Sequence, residues 1–261
     1  MAAPAAPKEA LVRVEDLTIA YGRKLVQRGL SFEIRRGEVL VIMGGSGCGK
    51  SSLLRHLIGL QRPAAGRIRY GEEDINDEDP QQQARLRRGF GVSFQAGALW
   101  SSMTVGENVM LPLELIGGLG TAEREQKARE KLALVGLADQ FDTEPAALSG
   151  GMRKRAAIAR ALALEPPLLY LDEPSAGLDP LSAARLDELM LALRDAQGAT
   201  LVLVTHELPS IFAVADRALF LDAERKTMTA LDAPERLLQE GPPEVREFLR
   251  RGAPVEQAAT A

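Results

Sequence analysis

The chain has 261 residues, of which 46% are hydrophobic and 26% charged, a composition typical of a globular protein and unlike that of a disordered one. Its net charge of -4 provides no positive field for nucleic acid, so a nucleic-acid partner is not expected. No apolar run approaches the roughly 20 residues that cross a bilayer, the N-terminus does not resemble a signal peptide, and Cys48 has no second cysteine to pair with, so we expect a cytoplasmic protein.

The first predicted elements are strands of two kinds. Apolar residues alternate with polar ones in the segments Val12/Val14, Leu17/Ile19 and Leu30/Phe32/Ile34, which predicts half-buried strands that form an antiparallel flank. Continuous apolar runs predict parallel strands covered on both faces. These runs are 39–43, 168–171 and 201–204.

A glycine-rich loop follows the first continuous run. It fits the pattern G-x-x-x-x-G-K-[ST] and precedes a helical pattern, the context in which this motif binds phosphate. The glycines let backbone N–H groups surround the phosphates, and Lys50 should reach the β- and γ-phosphates while Ser51 ligates Mg²⁺. We read Cys48 as a small space-filler. The predicted binding residues are Gly44, Gly45, Ser46, Gly47, Cys48, Gly49, Lys50, Ser51 and Ser52. The chain should therefore bind a nucleoside triphosphate.

Helical patterns dominate residues 96–165. Thr121 is a plausible N-cap, and Gly136 can end the helix that Thr121 begins. Glu123/Lys127 and Glu125/Arg129 are i,i+4 pairs typical of a solvated face. The sequence thus predicts an α/β core at 11–95 and 166–236, a helical subdomain at 96–165, a disordered tail at 1–10, and a C-terminal helix and tail at 237–261.

A second anion site is one of two interpretations of the start of the helix 153–164. Ser149 can cap this helix, and Gly150 and Gly151 leave its first N–H groups open. The other interpretation is an ordinary capped helix. The basic cluster 153–155 reads chiefly as surface charge.

Three further side chains stand at predicted strand ends, where ligands bind in open α/β sheets. Asp172 can hold a metal shell beside Ser51, and Glu173 can accept a proton from an attacking water. His206 can hydrogen-bond the γ-phosphate and that water. Two acids that end a strand by chance remain the alternative for Asp172 and Glu173.

In their order along the chain these motifs resemble the ATP-binding cassette (ABC) family. The resemblance implies that Tyr21 stacks on adenine and that Gln95 is the Q-loop glutamine, which also reaches the metal. It further implies that 148–152 is the signature sequence, that Asp179 belongs to the D-loop and that His206 is the switch histidine. It implies an ATPase that works as a head-to-tail homodimer, in which Ser149 and Gly151 of one copy close over ATP held by Lys50 of the other.

Local features resemble one branch of that family. Met152 replaces the usual signature glutamine, and the segments 96–109 and 242–249 look like the ATPase subunits of mammalian-cell-entry (MCE) and Mla-type lipid transporters. That resemblance implies a permease dimer, an MCE-domain protein and a small accessory subunit as partners. It also implies phospholipid as cargo and a place on the cytoplasmic face of the bacterial inner membrane.

Other assignments within the family stay open. An ATPase for amino acid import or lipoprotein extraction would keep every catalytic residue. A sugar importer would need a further regulatory domain, and a non-transport ATPase is disfavoured by the net acidity. Trp100, the single tryptophan, either packs inside the helical subdomain or belongs to a groove that receives a permease helix.

Overall fold

The computed structural model describes residues 9–95, 97–116 and 118–251. The strands are β1 (Ala10–Tyr21), β2 (Lys24–Arg35), β3 (Val39–Met43), β4 (Ala65–Tyr70), β5 (Glu73–Asp74), β6 (Phe90–Ser93), β7 (Leu168–Asp172), β8 (Thr200–Val204), β9 (Arg217–Asp222) and β10 (Thr227–Asp232). The α-helices are α1 (Lys50–Leu57), α2 (Pro80–Arg88), α3 (Val105–Ile116), α4 (Thr121–Leu134), α5 (Gly150–Ala161), α6 (Pro180–Gln197), α7 (Leu208–Val214), α8 (Pro234–Glu240) and α9 (Pro243–Arg250). Short 3₁₀ turns lie at Ala138–Gln140 and Pro145–Ala147. Among these residues no helix combines the length and apolarity that a membrane span requires.

The predicted antiparallel flank is confirmed as a four-stranded sheet in the order β2-β1-β4-β5. The segments 12–14 and 17–19 both lie in β1, where the pairing register shifts between Val14 and Leu17. Asp16 adopts a φ of 46° at this shift. The extra residue acts as a β-bulge, because two apolar side chains three positions apart could not otherwise lie on the same buried face.

The continuous apolar runs form the centre of a six-stranded sheet in the order β10-β9-β3-β8-β7-β6. Strands β6, β7, β8, β3 and β9 are parallel, and β10 pairs antiparallel with β9. Both faces of β3 are covered, since Val39, Val41 and Met43 pack in one hydrophobic core and Leu40 and Ile42 in another. The carboxyl ends of β3, β7 and β8 therefore meet at one edge, where the predicted site residues follow them.

Helices α3, α4 and α5 lie between β6 and β7, as the sequence predicted. The N-cap assignment is wrong by one residue: Gly120 precedes the helix, and its N–H donates to the Glu123 carboxylate at 2.9 Å. Gly136 adopts a φ of 69° just beyond α4, as expected of a helix end. The predicted pair of Glu125 with Arg129 is present at 2.8 Å. The predicted pair of Glu123 with Lys127 is wrong, because Lys127 pairs with Glu165, which follows α5 in the chain.

Two predicted boundaries also differ from the structure. Ala10, assigned to the disordered tail, begins β1, and the carbonyl of Glu9 accepts a hydrogen bond from Arg36 N–H at 2.8 Å. The boundary at 236/237 falls inside α8. Residues 1–8 and 252–261 of the predicted tails lie outside the described residues.

A carboxylate is buried between α6 and α7. Asp187 is 7% exposed, and its Oδ2 accepts a hydrogen bond from Ser210 at 3.0 Å. Burial raises the pKa of Asp187 to about 6, and the Ser210 hydrogen bond opposes this shift more weakly. The folded protein thus holds this proton more tightly than the unfolded chain. The resulting stabilisation is complete below the unfolded pKa of about 3.9 and is lost as the pH rises through about 6.

Asp187→Asn should therefore raise the free energy of unfolding above pH 7. The asparagine is neutral at every pH, so it avoids a penalty of about 3 kcal/mol for a shift of roughly two pKa units. The gain over the wild type should shrink below about pH 6 and vanish near pH 4. Urea unfolding of both proteins across this pH range measures the difference in the free energy of unfolding. A difference that does not change with pH would contradict the raised pKa of a buried Asp187.

Candidate active site

A cavity of about 870 Å³ opens at the carboxyl edge of the parallel sheet. Its size is within the range of small-molecule sites. It brings together the loop 44–52 with Tyr21, Gln95, Glu173 and His206, which lie far apart in the sequence. Lining residues that the sequence did not predict are Lys24, Leu25, Val26, Leu208, Ala223, Lys226, Phe248 and Arg251.

The shape of the loop requires glycine at two positions. Gly44 has a φ of 143°, and a Cβ there would lie 2.5 Å from the carbonyl oxygen of Leu221 and 2.8 Å from Cys48 Sγ. Gly49 has a φ of 102°, and a Cβ there would lie 2.7 Å from a methyl carbon of Val26. Any side chain at either position would displace the loop, because real Cβ atoms do not approach other atoms so closely.

Lys50 is the first residue of α1 and folds back over the loop. Its Nζ donates to the carbonyls of Gly44 at 2.9 Å and Gly45 at 3.2 Å. The ammonium group is thus held beside the helix N-terminus, where backbone N–H groups and the helix dipole favour an anion. Cys48 is buried, and burial raises the pKa of its thiol, so it stays neutral and fills space as predicted.

The side chain of Gln27 holds this loop in place, a role that the sequence analysis did not identify. Its buried Nε2 donates to the carbonyls of Cys48 at 2.6 Å and Asp222 at 3.0 Å. It thereby joins β2, the loop and the end of β9. A single glutamine in an alternating strand carries no signal of this role, since one of its partners lies 195 positions away.

The oxygens of Ser51 and Asp172 form a candidate Mg²⁺ site. Ser51 Oγ lies 3.4 Å from Asp172 Oδ1, and hydroxyl and carboxylate oxygens are donors that Mg²⁺ prefers. Burial raises the pKa of Asp172, with a further contribution from the charge of Glu173, while Ser51, Arg55 and Lys50 lower it. In the described parts of the chain no group of three or more His, Cys, Asp or Glu side chains is placed to hold a metal ion.

The side chains of Glu173 and His206 form a hydrogen bond with each other. Nδ1 of His206 lies 2.8 Å from Oε1 of Glu173, and because an ionised carboxylate only accepts, Nδ1–H is the donor. Glu173 has a φ of 50° and is 7% exposed. Its Oε2 is buried without a hydrogen-bond partner in the described structure. An unpartnered buried carboxylate oxygen and a left-handed backbone are costly features that cluster at functional sites.

Within the basic cluster 153–155 on α5, Arg153 is exposed, as predicted for surface charge, whereas Lys154 is structural and its interpretation as surface charge is wrong. Lys154 Nζ donates to the carbonyls of Glu173 at 3.0 Å and Ala176 at 2.5 Å, and burial lowers its pKa. Further along α5, Arg160 donates to the carbonyl of Gly97 at 2.9 Å. This helix therefore fixes both the turn that carries Glu173 and the segment after Gln95.

The signature residues lie outside the cavity. Ser149 caps α5 by accepting from the N–H of Met152 at 3.3 Å. The predicted cap is therefore present, and it does not exclude the predicted anion site. Ser149 and Gly150 are exposed. Gly150 and Gly151 are likewise absent from the lining of the described cavity. The binding role of all three therefore stays a prediction.

Asp179 is also exposed and outside the cavity. It caps α6 by accepting from the N–H of Ser182 at 3.0 Å, and hydrogen bonds with the side chain and then the backbone of Ser182 lower the pKa of Asp179. Tyr21 and Gln95 do line the cavity, and the hydroxyl of Tyr21 donates to Gln61 at 2.5 Å. The roles of Tyr21 at adenine, Gln95 at the metal and Asp179 at the nucleotide stay predictions.

Three kinds of comparison bear on this site. The profile of the family described as ABC transporter matches residues 27–176. The methionine import ATP-binding protein MetN of Rhizobium johnstonii is 43% identical over 221 residues, or 85% of this chain. The MetN protein of Xanthomonas oryzae pv. oryzae is 43% identical over 209 residues, or 80% of this chain. The chain spans 61% and 62% of the lengths of these two relatives.

Solved structures agree on the fold. The dimeric ATP-binding cassette MJ0796, in a post-hydrolysis state bound to ADP and Pi, matches with a TM-score of 0.77 and 31% identity over 85% of this chain and 98% of its own. CbiO1 from Clostridium perfringens, part of the ABC transporter complex cbiONQ, matches with a TM-score of 0.82 and 28% identity over 97% of this chain and 99% of its own. The relatives do not support the predicted resemblance to MCE and Mla-type lipid transporters, and they favour the amino acid alternative.

Proposed function

The chain belongs to the ABC transporter family of ATPases, and on that premise we propose that it is the ATP-hydrolysing subunit of a membrane transporter. The observation that carries the proposal is the meeting of Lys50, Ser51, Glu173 and His206 around one cavity. A pure binding module would have no need of a buried carboxylate oxygen without a partner beside the phosphate loop.

Each residue has a distinct part in the proposed hydrolysis. Lys50 exchanges its bonds to the loop carbonyls for bonds to the β- and γ-phosphates. Ser51 and Asp172, with Gln95, would hold Mg²⁺, whose charge offsets that of the phosphates. Oε2 of Glu173 accepts the proton of the attacking water, while the bond from His206 Nδ1 to Oε1 keeps the carboxylate in place. Nε2 of His206 could bond the γ-phosphate only as an N–H donor, because the phosphate oxygens accept.

The complete site is formed by residues from two copies of the chain. The exposed cap of α5, formed by Ser149, Gly150 and Gly151, offers N–H groups and a helix dipole to an anion. Since these residues are absent from the lining of their own chain's described cavity, we propose that they close over ATP held by the phosphate loop of the other copy. The dimeric cassette with ADP and Pi among the solved relatives is consistent with this arrangement.

The two candidate cargoes differ in their support. The relatives named as methionine importers support an amino acid such as methionine, at 43% identity, and we take this as the first candidate. The resemblance of Met152 and of the segment 242–249 to lipid-transporter ATPases would imply a lipid cargo and an MCE-domain partner, an interpretation that the relatives do not support. In either case the chain would act at the cytoplasmic membrane face through a permease dimer.

Capture of the native complex tests the proposal and separates the cargoes. The tagged chain is purified from its own membranes in mild detergent, and co-purified proteins are identified by mass spectrometry. The complex is then placed in proteoliposomes with labelled methionine or labelled phospholipid. ATP-dependent methionine uptake supports the first cargo and lipid transfer the second. ATP hydrolysis by a chain that captures no permease would contradict the transporter assignment.

Trp100 is the proposed anchor for the permease. The interpretation that it packs inside the helical subdomain is wrong, because 59% of the residue is exposed. Its backbone is fixed: its N–H donates to Asn108 Oδ1 at 2.7 Å, and its carbonyl accepts from Asn108 Nδ2 at 3.0 Å. A groove of about 460 Å³ beside this segment is lined by Met103, Met110 and Leu111 among others. Glu107, Glu114 and Arg124 also line this groove, so it offers both apolar and charged contacts. An exposed tryptophan with a fixed backbone next to such a groove is suited to an amphipathic helix of a partner.

Trp100→Ala should weaken permease binding by about tenfold or more, because truncation of a central aromatic anchor removes most of its buried contact. The melting temperature of the isolated chain should not change. Leu60→Ala is the matched control, since Leu60 is also 59% exposed. Affinity for detergent-solubilised permease measures the effect. A lowered melting temperature with unchanged permease affinity would place the coupling surface elsewhere.

A further inference from the structure

Three buried polar side chains form a chain of contacts beside the active site. Ser210 Oγ lies 3.0 Å from Asp187 Oδ2 and 3.4 Å from Ser175 Oγ. All three residues are at most 7% exposed. The other carboxylate oxygen of Asp187, Oδ1, is buried without a hydrogen-bond partner among the described atoms. We call this set the serine-aspartate cluster.

The chemistry of the groups fixes the direction of these hydrogen bonds. A serine hydroxyl has one hydrogen to donate, and an ionised carboxylate can only accept. Ser210 therefore donates to Asp187 and is left to accept from Ser175. If Asp187 is protonated, its own hydroxyl can donate to Ser210, whose hydrogen then turns toward Ser175. Protonation of Asp187 thus exchanges the donor and the acceptor in both hydrogen bonds of the cluster.

The cluster joins the two segments that carry the reacting pair. Ser175 lies two residues beyond Glu173, in the turn at the end of β7, and Ser210 lies four residues beyond His206, on α7. Glu173 and His206 are themselves bonded at 2.8 Å. A shift of the turn that carries Ser175 relative to α7 would therefore change the hydrogen bond between Glu173 and His206. The hydrogen bonds of the serine-aspartate cluster resist such a shift.

The charge of Asp187 is not compensated by an ion pair in the described structure. Its pKa is raised by burial, and Ser210 is the one group that lowers it. Of the elements that pack against α6, α7 and β8 contain no ionisable side chain. On α5, the four basic side chains all donate to backbone carbonyls; they are Arg153, Lys154, Arg155 and Arg160. The exposed ionisable residues of α6 itself are Arg185, Glu188 and Asp195, and Arg194 pairs with Asp195 and Asp216.

A buried carboxylate of this kind lowers stability, and such features persist where function needs them. We propose that Asp187 is a positioning residue for ATP hydrolysis: ionised, it aligns Ser210 and Ser175 in one direction and so fixes Glu173 and His206 relative to each other. The proposal rests on the proposed ATPase function. Asp187 is not among the residues that line the described cavity, and it acts only through the two serines.

The test compares Asp187→Asn with the wild-type full-length chain in MgATP hydrolysis and in nucleotide binding. The amide can present either an oxygen or an NH₂ group to Ser210, so it no longer imposes one direction. At about pH 7.5 we expect kcat to fall about fivefold, while the Kd for a fluorescent ATP analogue changes less than twofold. Below about pH 6 wild-type Asp187 becomes protonated, so the ratio of wild-type to variant kcat should fall toward one.

Two further variants separate positioning from general stability. Ser210→Ala removes the central link and should lower kcat about as much as Asp187→Asn, and the double variant should show no additional loss. Leu193→Ala, a buried change on the same helix, should lower the melting temperature and leave kcat unchanged. A pH-independent kcat ratio, additive losses, or a kcat equal to that of wild type would overturn the proposal. A wild-type chain without ATPase activity would instead overturn the proposed function.

Discussion

Glu173→Gln should lower ATP turnover by about 10²-fold or more, the scale expected when a general base is removed. A carboxamide cannot take the proton of the attacking water, although it can still occupy the same buried space. ATP binding should persist, because Lys50 and the loop 44–52 are unchanged. Steady-state phosphate release and equilibrium binding of an ATP analogue measure the two effects separately.

Glu165→Gln is a matched control for this change. Glu165 also has a left-handed backbone, with a φ of 53° against 50° for Glu173, but it is exposed and pairs with Lys131. It should hydrolyse ATP at the wild-type rate. Turnover of Glu173→Gln within a few-fold of wild type would show that another group accepts the proton.

Mixing two inactive variants should restore activity if the site is shared. Lys50→Ala damages the phosphate loop, and Ser149→Arg blocks the cap of α5 that closes over the other copy. In a mixed dimer both lesions fall in one site, and the opposite site is intact. Random pairing of equal amounts gives about half mixed dimers, so independent sites would recover about a quarter of wild-type activity, whereas each variant alone should be inactive.

The control for mixing is Lys50→Ala with Glu173→Gln. Both residues line the same cavity of one chain, so a mixed dimer of these variants has one lesion in each site and should stay inactive. Absence of recovery in the Lys50 and Ser149 mixture would indicate that each chain hydrolyses ATP without the cap of its partner.

The parts of the fold that were predictable are those with a local cause. The run 39–43 became β3 without a change of boundary, because its residues are apolar on both faces and covered on both. The loop 44–51 was predictable because Gly44, Gly47 and Gly49 have positive φ values, a backbone conformation that glycine adopts readily. Asp172, Glu173 and His206 were located because they follow strands whose carboxyl ends share one edge.

The residues that were missed have distant partners or buried polar contacts. Lys154 looked like surface charge because three basic residues in a row usually lie in solvent, yet its two acceptors are carbonyls 19 and 22 positions away. Asp187 carried no signal, since its partner Ser210 belongs to another helix. Thr121 failed as an N-cap because Gly120 and Glu123 satisfy the helix start instead.

Cross-linking between chains tests most directly the central claim that ATP is hydrolysed at a site made by two copies. One chain carries Ser46→Cys in the phosphate loop and the other carries Ser149→Cys, both with Cys48→Ser and Glu173→Gln to remove the native thiol and hold ATP. With MgATP and oxidant the mixture should give a covalent product of twice the 28.1 kDa chain mass, and without nucleotide much less of it. A chain with both cysteines that cross-links only within itself, while the mixture yields no dimer, would contradict the claim.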